Sequence, residues 1–318
     1  MSESVDNRQV ITPQLEGSKR LQSTVARTVI PLVLRSTIRP LWASKVPIGM
    51  TRRITGALLH NGWVPRAAKV SETQLGGIRT ELILPKSGAG DRIVFFVHGG
   101  GYVVCSPRTH RPLTSRLSLA LNATTYVPHY RLAPEHVFPA GLNDVVAAYK
   151  GMLAKGINPA NVTVMGDSAG GGLALAMTLA LRDQQVALPG KLVLISPWTD
   201  LTLSGETLRS KDSADPMLTW KWITGKTPLY TGGATDTRHP LVSPLFADLR
   251  GLPPTLVQVG SEEILLSDSE RLAERAAEAG WDLQLNVWEG MWHDFQMLGS
   301  MLPEADAAIA DIARFARG

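Results

Sequence analysis

The 318-residue chain contains a single cysteine, Cys105, so no disulfide can form within it and its fold must hold by packing alone. It lacks any run of eighteen or more uncharged apolar residues, so no membrane-spanning helix is expected. No Cys/His cluster falls at metal-ligand spacing, and no G-x-G-x-x-G opens a βαβ unit. Neither a metal nor another cofactor is therefore expected. Aromatic residues are sparse, and Trp42 is alone among the first sixty residues. Acids are scarce there too: Glu3, Asp6 and Glu16 face nine cations, Arg8, Lys19, Arg20, Arg27, Arg35, Arg39, Lys45, Arg52 and Arg53, a net +6. The cations are spread rather than clustered and have almost no aromatic partners, so no nucleic-acid partner is expected. The same stretch suits a helical cap with a basic outer face better than a membrane anchor. The start, Met1 to Asp6, is polar and acidic, unlike a secretory signal. With one cysteine, that points to a cytoplasmic location.

What the chain does have is a hydrophobic content of 44%, ample for one large core with a cap. Apolar three- and four-residue steps from Leu21 to Leu34 predict a helix interrupted at Pro31, and Thr51–Leu59 predicts a shorter one. From Lys69 the period drops to two around Gly76-Gly77, which predicts a β-hairpin. Strand-like and helix-like segments then alternate to the C-terminus, with strands at 92–97, 124–129, 161–166, 191–196, 255–259 and 282–288. Such alternation predicts an α/β protein, a mostly parallel central sheet with helices on both faces. Residues 202–241 interrupt the alternation with an aromatic-rich helix around Trp220 and Trp222. They are expected to roof a site together with the N-terminal segment. The expected division is a helical cap at 1–65 and a main domain at 66–318, with 202–241 contributing to the cap.

Two glycine-rich motifs carry chemistry. Gly166-Asp167-Ser168-Ala169-Gly170 follows the strand-like Val162–Met165 and precedes a helix, the layout of a nucleophile elbow. Only glycine leaves room beside a serine on so tight a turn. Upstream, His98-Gly99-Gly100-Gly101 ends another strand, where consecutive glycines bring backbone N–H groups close to a ligand. Beside an elbow, that loop supplies oxyanion donors from Gly99, Gly100 and Gly101, and Ala169 supplies another.

A serine nucleophile needs a base and an acid. Of seven histidines, His60 lies in the basic segment, His110 opens a helix, and His136 and His239 flank prolines. His293 follows the last strand, where the order Ser, acid, His places the base. The residues alone leave the acid open among Glu262, Glu263 and Asp200, while Asp268 reads as a cap or first-turn acid of a helix. Asp167 reads as an acceptor that steadies the elbow, Asp144 as a cap or loop tether, and Cys105 as packing.

The HGGG loop, the GDSAGG elbow and Tyr130-Arg131-Leu132-Ala133-Pro134-Glu135-His136-Val137-Phe138-Pro139-Ala140 resemble the hormone-sensitive-lipase-like α/β-hydrolases, the bacterial carboxylesterases. The resemblance runs from about residue 75 to the C-terminus. It implies an α/β-hydrolase fold and a serine ester hydrolase acting on small acyl esters through an acyl-enzyme, with lactones or amides as alternatives. Setting Ala273-Glu274-Arg275 on the family's A-E-R ending places Glu263 at the acid position, a glutamate where the family usually has aspartate. Hydrolase-like receptors that resemble the family lack the catalytic histidine, which this chain keeps at His293. Some members pair through their last strand, so the resemblance leaves a homodimer open.

Overall fold

The computed structural model describes residues 7–43, 46–60 and 64–318. Glu3, Asp6 and Lys45, counted in the charge of the N-terminal segment, lie outside the described residues, as does the side chain of His60. The strands are β1 (Arg8–Ile11), β2 (Ala68–Leu75), β3 (Ile78–Pro85), β4 (Ile93–Val97), β5 (Thr124–Pro128), β6 (Val162–Asp167), β7 (Lys191–Ile195), β8 (Thr255–Gly260) and β9 (Leu283–Trp288). The helices are α1 (Gly17–Ser36), α2 (Ile38–Ala43), α3 (Ile48–His60), α4 (Pro107–Leu121), α5 (Ala140–Leu153), α6 (Ser168–Asp183), α7 (Thr207–Ser210), α8 (Trp220–Thr231), α9 (Leu266–Ala279) and α10 (Pro303–Arg317).

All nine strands join one sheet in the order β1-β9-β8-β7-β6-β4-β5-β3-β2. The pairs β2/β3 and β3/β5 are antiparallel and every other pair is parallel. Gly76 and Gly77 both take positive φ (54° and 80°), as the tight turn between β2 and β3 demands. Central strands such as β6 and β8 are buried along their whole length, as expected when helices cover both faces. In β4, Val94 and Phe96 pack with Leu113 and Leu117 of α4 and Ile309 and Ile312 of α10. Phe95 and Val97 point the other way, into the cluster that holds Leu142 of α5 and Leu173 of α6. After β4 the chain builds β5 on one side, then returns to place β6 on the other. That reversal opens a crevice at the carboxyl ends of β4 and β6, where ligands settle in open α/β sheets.

The N-terminal segment departs from expectation in three ways. Its first described residues form β1, which pairs with β9 and fills the outer edge of the last strand. Four residues, Arg8-Gln9-Val10-Ile11, are too few to show a period; the pairing comes from the edge they meet. Next, α1 runs through Pro31 without a break. Contacts hold it on both flanks: Ser23 donates to Glu304, and Arg35 donates to the carbonyls of Ser213 (2.8 Å) and Ala214 (2.7 Å). Finally, the basic outer face is only partial: Lys19, Arg20, Arg27 and Arg53 are exposed, whereas other arginines tie the segment to the body of the protein. Arg8 pairs with Glu270 at 2.9 Å, Arg39 donates to the Asp212 carbonyl at 2.5 Å, and Arg52 pairs with Glu135 at 2.7 Å. The exposed residues of α1 also include Leu21, Val25, Val29, Leu32 and Val33.

Candidate active site

Ser168 is the first residue of α6 and sits at φ 52°, in the left-handed region that a side-chain-bearing residue adopts only under constraint. Backbone proximity supplies the constraint. A Cβ on Gly170 would collide with the carbonyls of Val97 and His98, and one on Gly166 would collide with the Gly170 carbonyl. The elbow is thus wedged against the end of β4, with Ser168 at the positive end of a sixteen-residue helix.

The loop after β4 is tied to the elbow through Asp167. Gly99 N–H donates to Asp167 Oδ1 (3.0 Å), and His110 Nε2 meets Oδ2 at 3.1 Å. This bond corrects the expectation for Gly99: its N–H is committed to Asp167, which leaves Gly100, Gly101 and Ala169 as candidate donors. Gly100 and Gly101 take φ of 112° and 59°, and both line the cavity beside Ser168. Burial alone would push the Asp167 carboxyl up, but His110 and the Gly99 N–H hold it below the usual carboxylate range. His98 shapes the loop: Nδ1 contacts the Gly99 carbonyl (2.9 Å), and Tyr130 Oη donates to the His98 carbonyl (2.7 Å). Burial drives His98 down to about 3, so it stays neutral. Asp144 is a loop tether, accepting from Arg131 N–H at 2.8 Å and from its guanidinium at 2.7 Å.

The acid candidates separate clearly. Glu263 is fully buried, its Oε1 3.4 Å from His293 Nδ1, while Oε2 accepts from Ser196 Oγ (2.8 Å) and Gly260 N–H (2.9 Å). Glu262, the adjacent residue, is half exposed and contacts Lys211 at 3.3 Å. Asp200 is bound to Arg271 (2.8 Å), Thr202 and Ser204, away from the histidine. Asp268 is a first-turn acid of α9, as expected, and not its cap; its carboxylate turns inward and accepts the N–H groups of Thr199 (2.8 Å) and Asp200 (2.9 Å). Burial, with Asp200 beside it, raises Asp268 to about 7.

Ser168 and His293 line one cavity of about 650 Å³. Leu34, Ile38 and Trp42 from the N-terminal segment, Leu58 and Leu59 from α3, and Met217, Leu218 and Trp222 from the 202–241 insertion make its apolar side. Trp42 stacks on Trp222 with ring centroids 4.8 Å apart. Trp220 is not in that lining; Arg209 stacks on its ring at 4.3 Å. Asp215 ties the insertion to the acid loop by accepting from Met217 N–H (2.8 Å), Leu218 N–H (2.9 Å) and Ile264 N–H (3.2 Å). Cys105 lines the cavity as well as packing on the core, and burial raises its thiol to about 12, with Asp167 adding to the shift. The thiol is therefore protonated and no rival nucleophile.

Sequence reasoning missed two residues at this site. His110 was read as a helix opener, yet it is the buried partner of Asp167 and lines the cavity. Only the fold brings them together across 57 positions. Asp294 was unassigned; its Oδ2 lies 3.1 Å from His293 Nε2. Burial would depress His293, but Asp294 and Glu263 outweigh it and hold the imidazole well above its ordinary 6.5. Among the described residues, no group of three or more candidate ligands could hold a metal ion. No helix among them is long and apolar enough to cross a membrane.

A family profile of the α/β-hydrolase fold matches residues 94–297. An esterase of Acinetobacter venetianus is 40% identical over 248 residues, covering 78% of this chain and 82% of that one. An acetyl-hydrolase of Streptomyces hygroscopicus is 41% identical over 243 residues, covering 76% of this chain and 81% of that one. Among solved structures, an esterase from the bacterial hormone-sensitive lipase family matches with a TM-score of 0.86 at 36% identity, covering 96% of this chain and 99% of that one. With three ordered motifs, a switch-point crevice and these relatives, the chain belongs to the α/β-hydrolase family, among its hormone-sensitive-lipase-like carboxylesterases.

Proposed function

We propose that this carboxylesterase cleaves small acyl esters with Ser168 as nucleophile, His293 as base and Glu263 as the acid that orients it. The observation that carries the assignment is the buried Glu263–His293 contact at Nδ1, which leaves Nε2 toward the cavity that Ser168 also lines. His293 takes the Ser168 proton as Oγ attacks the ester carbonyl, then gives it to the departing alcohol; water releases the acyl group by the same path. In the resting arrangement Nε2 faces Asp294 Oδ2, so catalysis requires the imidazole to pass from that carboxylate to the serine oxygen. N–H groups of Gly100, Gly101 and Ala169 stabilise the oxyanion, each worth on the order of a hundredfold in turnover.

The described residues of the 1–65 segment, apart from β1, and the 202–241 insertion act as the roof over this cavity. Their apolar lining suits an acyl chain better than a polar one. A cytoplasmic location is the reading that the single cysteine supports.

The test is Ser168→Ala assayed on p-nitrophenyl butyrate. Turnover should fall by about a thousandfold or more with the melting temperature unchanged. Retained turnover would reject the mechanism.

A further inference from the structure

The triad assignment uses Glu263 on one side of His293 and leaves the carboxylate on its other side without a task. Asp294 is 93% buried. Its Oδ2 contacts His293 Nε2, while its Oδ1 is buried with no hydrogen-bond partner among the described residues. Asp294 lines the cavity, and so do Thr109, His110 and Asp167, which form a polar wall opposite the apolar roof. A buried carboxylate oxygen without a donor is costly in a folded protein. Oδ1 is sealed from the cavity, so any donor that a ligand supplies reaches Asp294 at Oδ2.

The chemistry fixes where that donor would lie. The departing alcohol oxygen takes its proton from His293 Nε2, so it must come within about 3 Å of that nitrogen. Asp294 Oδ2 is 3.1 Å from the same nitrogen in the resting arrangement and loses that partner when the imidazole passes to the serine oxygen. A second hydroxyl on the carbon next to the ester-bearing carbon therefore falls within reach of the Asp294 carboxylate.

We propose that Asp294 is a specificity residue that accepts a hydrogen bond from a hydroxyl of the leaving alcohol, so that the preferred substrates are acyl esters of vicinal diols and polyols. The proposal rests on the ester-hydrolase reading above. Asp294 makes and breaks no covalent bond. The Ser168 Oγ–acyl bond forms, the acyl–alkoxy bond breaks, and the proton passes from Ser168 through His293 to the departing oxygen. By microscopic reversibility the same contact would favour a diol over a simple alcohol as acceptor from the acyl-enzyme.

The experiment compares kcat/KM for propyl butyrate and 2-hydroxypropyl butyrate by proton release, in the wild type and in Asp294→Ala and Asp294→Asn. At about pH 9, above the value of about 7 to which burial raises Asp294, the wild type should favour the hydroxylated ester about tenfold, the scale of one hydrogen bond to a charged acceptor, and the ratio should fall toward one in Asp294→Ala. A purely structural role would slow both esters together and leave the ratio intact, which overturns the proposal. In the wild type alone, partition of the butyryl-enzyme between 1,2-propanediol and 1-propanol reads the same contact. A strong preference for the diol supports the proposal, and equal partition overturns it even if the variants do not fold. If the wild type hydrolysed neither ester nor p-nitrophenyl butyrate, the hydrolase reading itself would fall. Equal hydrolysis of both would sink only the role of Asp294.

Discussion

The crevice and its roof are built on different physical terms. In the crevice, Ser168, Glu263 and His293 follow the ends of β6, β8 and β9, and backbone contacts fix their neighbours. The elbow is wedged against the Val97 and His98 carbonyls, and Gly260 N–H anchors Glu263. In the roof, α1 to α3 and α8 have no strand to define their positions. They are moored by side chains such as Arg52, which donates to the Val103 carbonyl (2.7 Å), the Ala133 carbonyl (2.7 Å) and Glu135. A site fixed by backbone tolerates little change and keeps its chemistry. A site fixed by side chains can be repacked, and its specificity moves with the packing.

The comparison breaks most sharply at Gly170. A methyl there meets two carbonyls of β4 and its following loop, and a backbone obstacle cannot swing aside as a side chain would. Gly170→Ala should destabilise the fold by roughly 3 kcal/mol and all but abolish ester hydrolysis. Urea unfolding together with a p-nitrophenyl butyrate assay checks it. Near-normal stability and turnover would show that the elbow is less constrained than its packing indicates.

Glu263 and Glu262 sharpen the contrast within one loop. Glu263→Gln should lower kcat by several hundredfold, because the imidazolium loses its buried counter-charge, whereas Glu262→Gln should stay within about twofold. The pH profile adds a sign. The working His293 is neutral, so activity disappears as pH falls through its pKa, and that pKa lies above 6.5 in the free enzyme. The carboxylates facing it come from three elements: Glu263 after β8, Asp294 after β9, and Asp215 from the roof insertion, itself raised to about 6 by burial. Removing the Glu263 charge takes away one of the groups that raise His293, so the acid limb of kcat/KM should move to lower pH. An acid limb that stays in place would show that Asp294 and Asp215 set it.

Legibility follows the same division. The strand-and-helix alternation was readable because buried parallel strands and amphipathic helices have distinct periods, and the elbow because only glycine fits beside Ser168. Glu263 needed the family resemblance, since Glu262 beside it is chemically identical; burial against Ser196 and Gly260 distinguishes them. In α1 the helical period was right, yet Leu21, Val25 and Val29 point to solvent while Ser23 and Ala26 are buried. Apolar residues on more than one face leave the sequence without a way to say which face docks. The Asp167 acceptor was readable as steadying the elbow; its partner His110 was not, because its position near Asp167 depends on α4 crossing behind the β4 loop.

The smallest expected effect lies in the roof and is the most informative about it. Trp222 stacks on Trp42, and its ring takes the Lys226 ammonium at 3.9 Å, with burial lowering Lys226 to about 8. Both tryptophans line the cavity. Trp222→Leu gives up the stack, worth about 0.5–1.5 kcal/mol, and opens space on the acyl side without touching Ser168 or His293. Turnover of p-nitrophenyl acetate should therefore change by less than about threefold. The kcat/KM ratio of octanoate to acetate should rise by up to about tenfold as longer chains fill the vacated volume. A series from acetate to decanoate measures both. An unchanged chain-length profile would place the acyl group on the other side of the cavity, against Met297 and Leu298, and would make the roof a cover rather than a ruler.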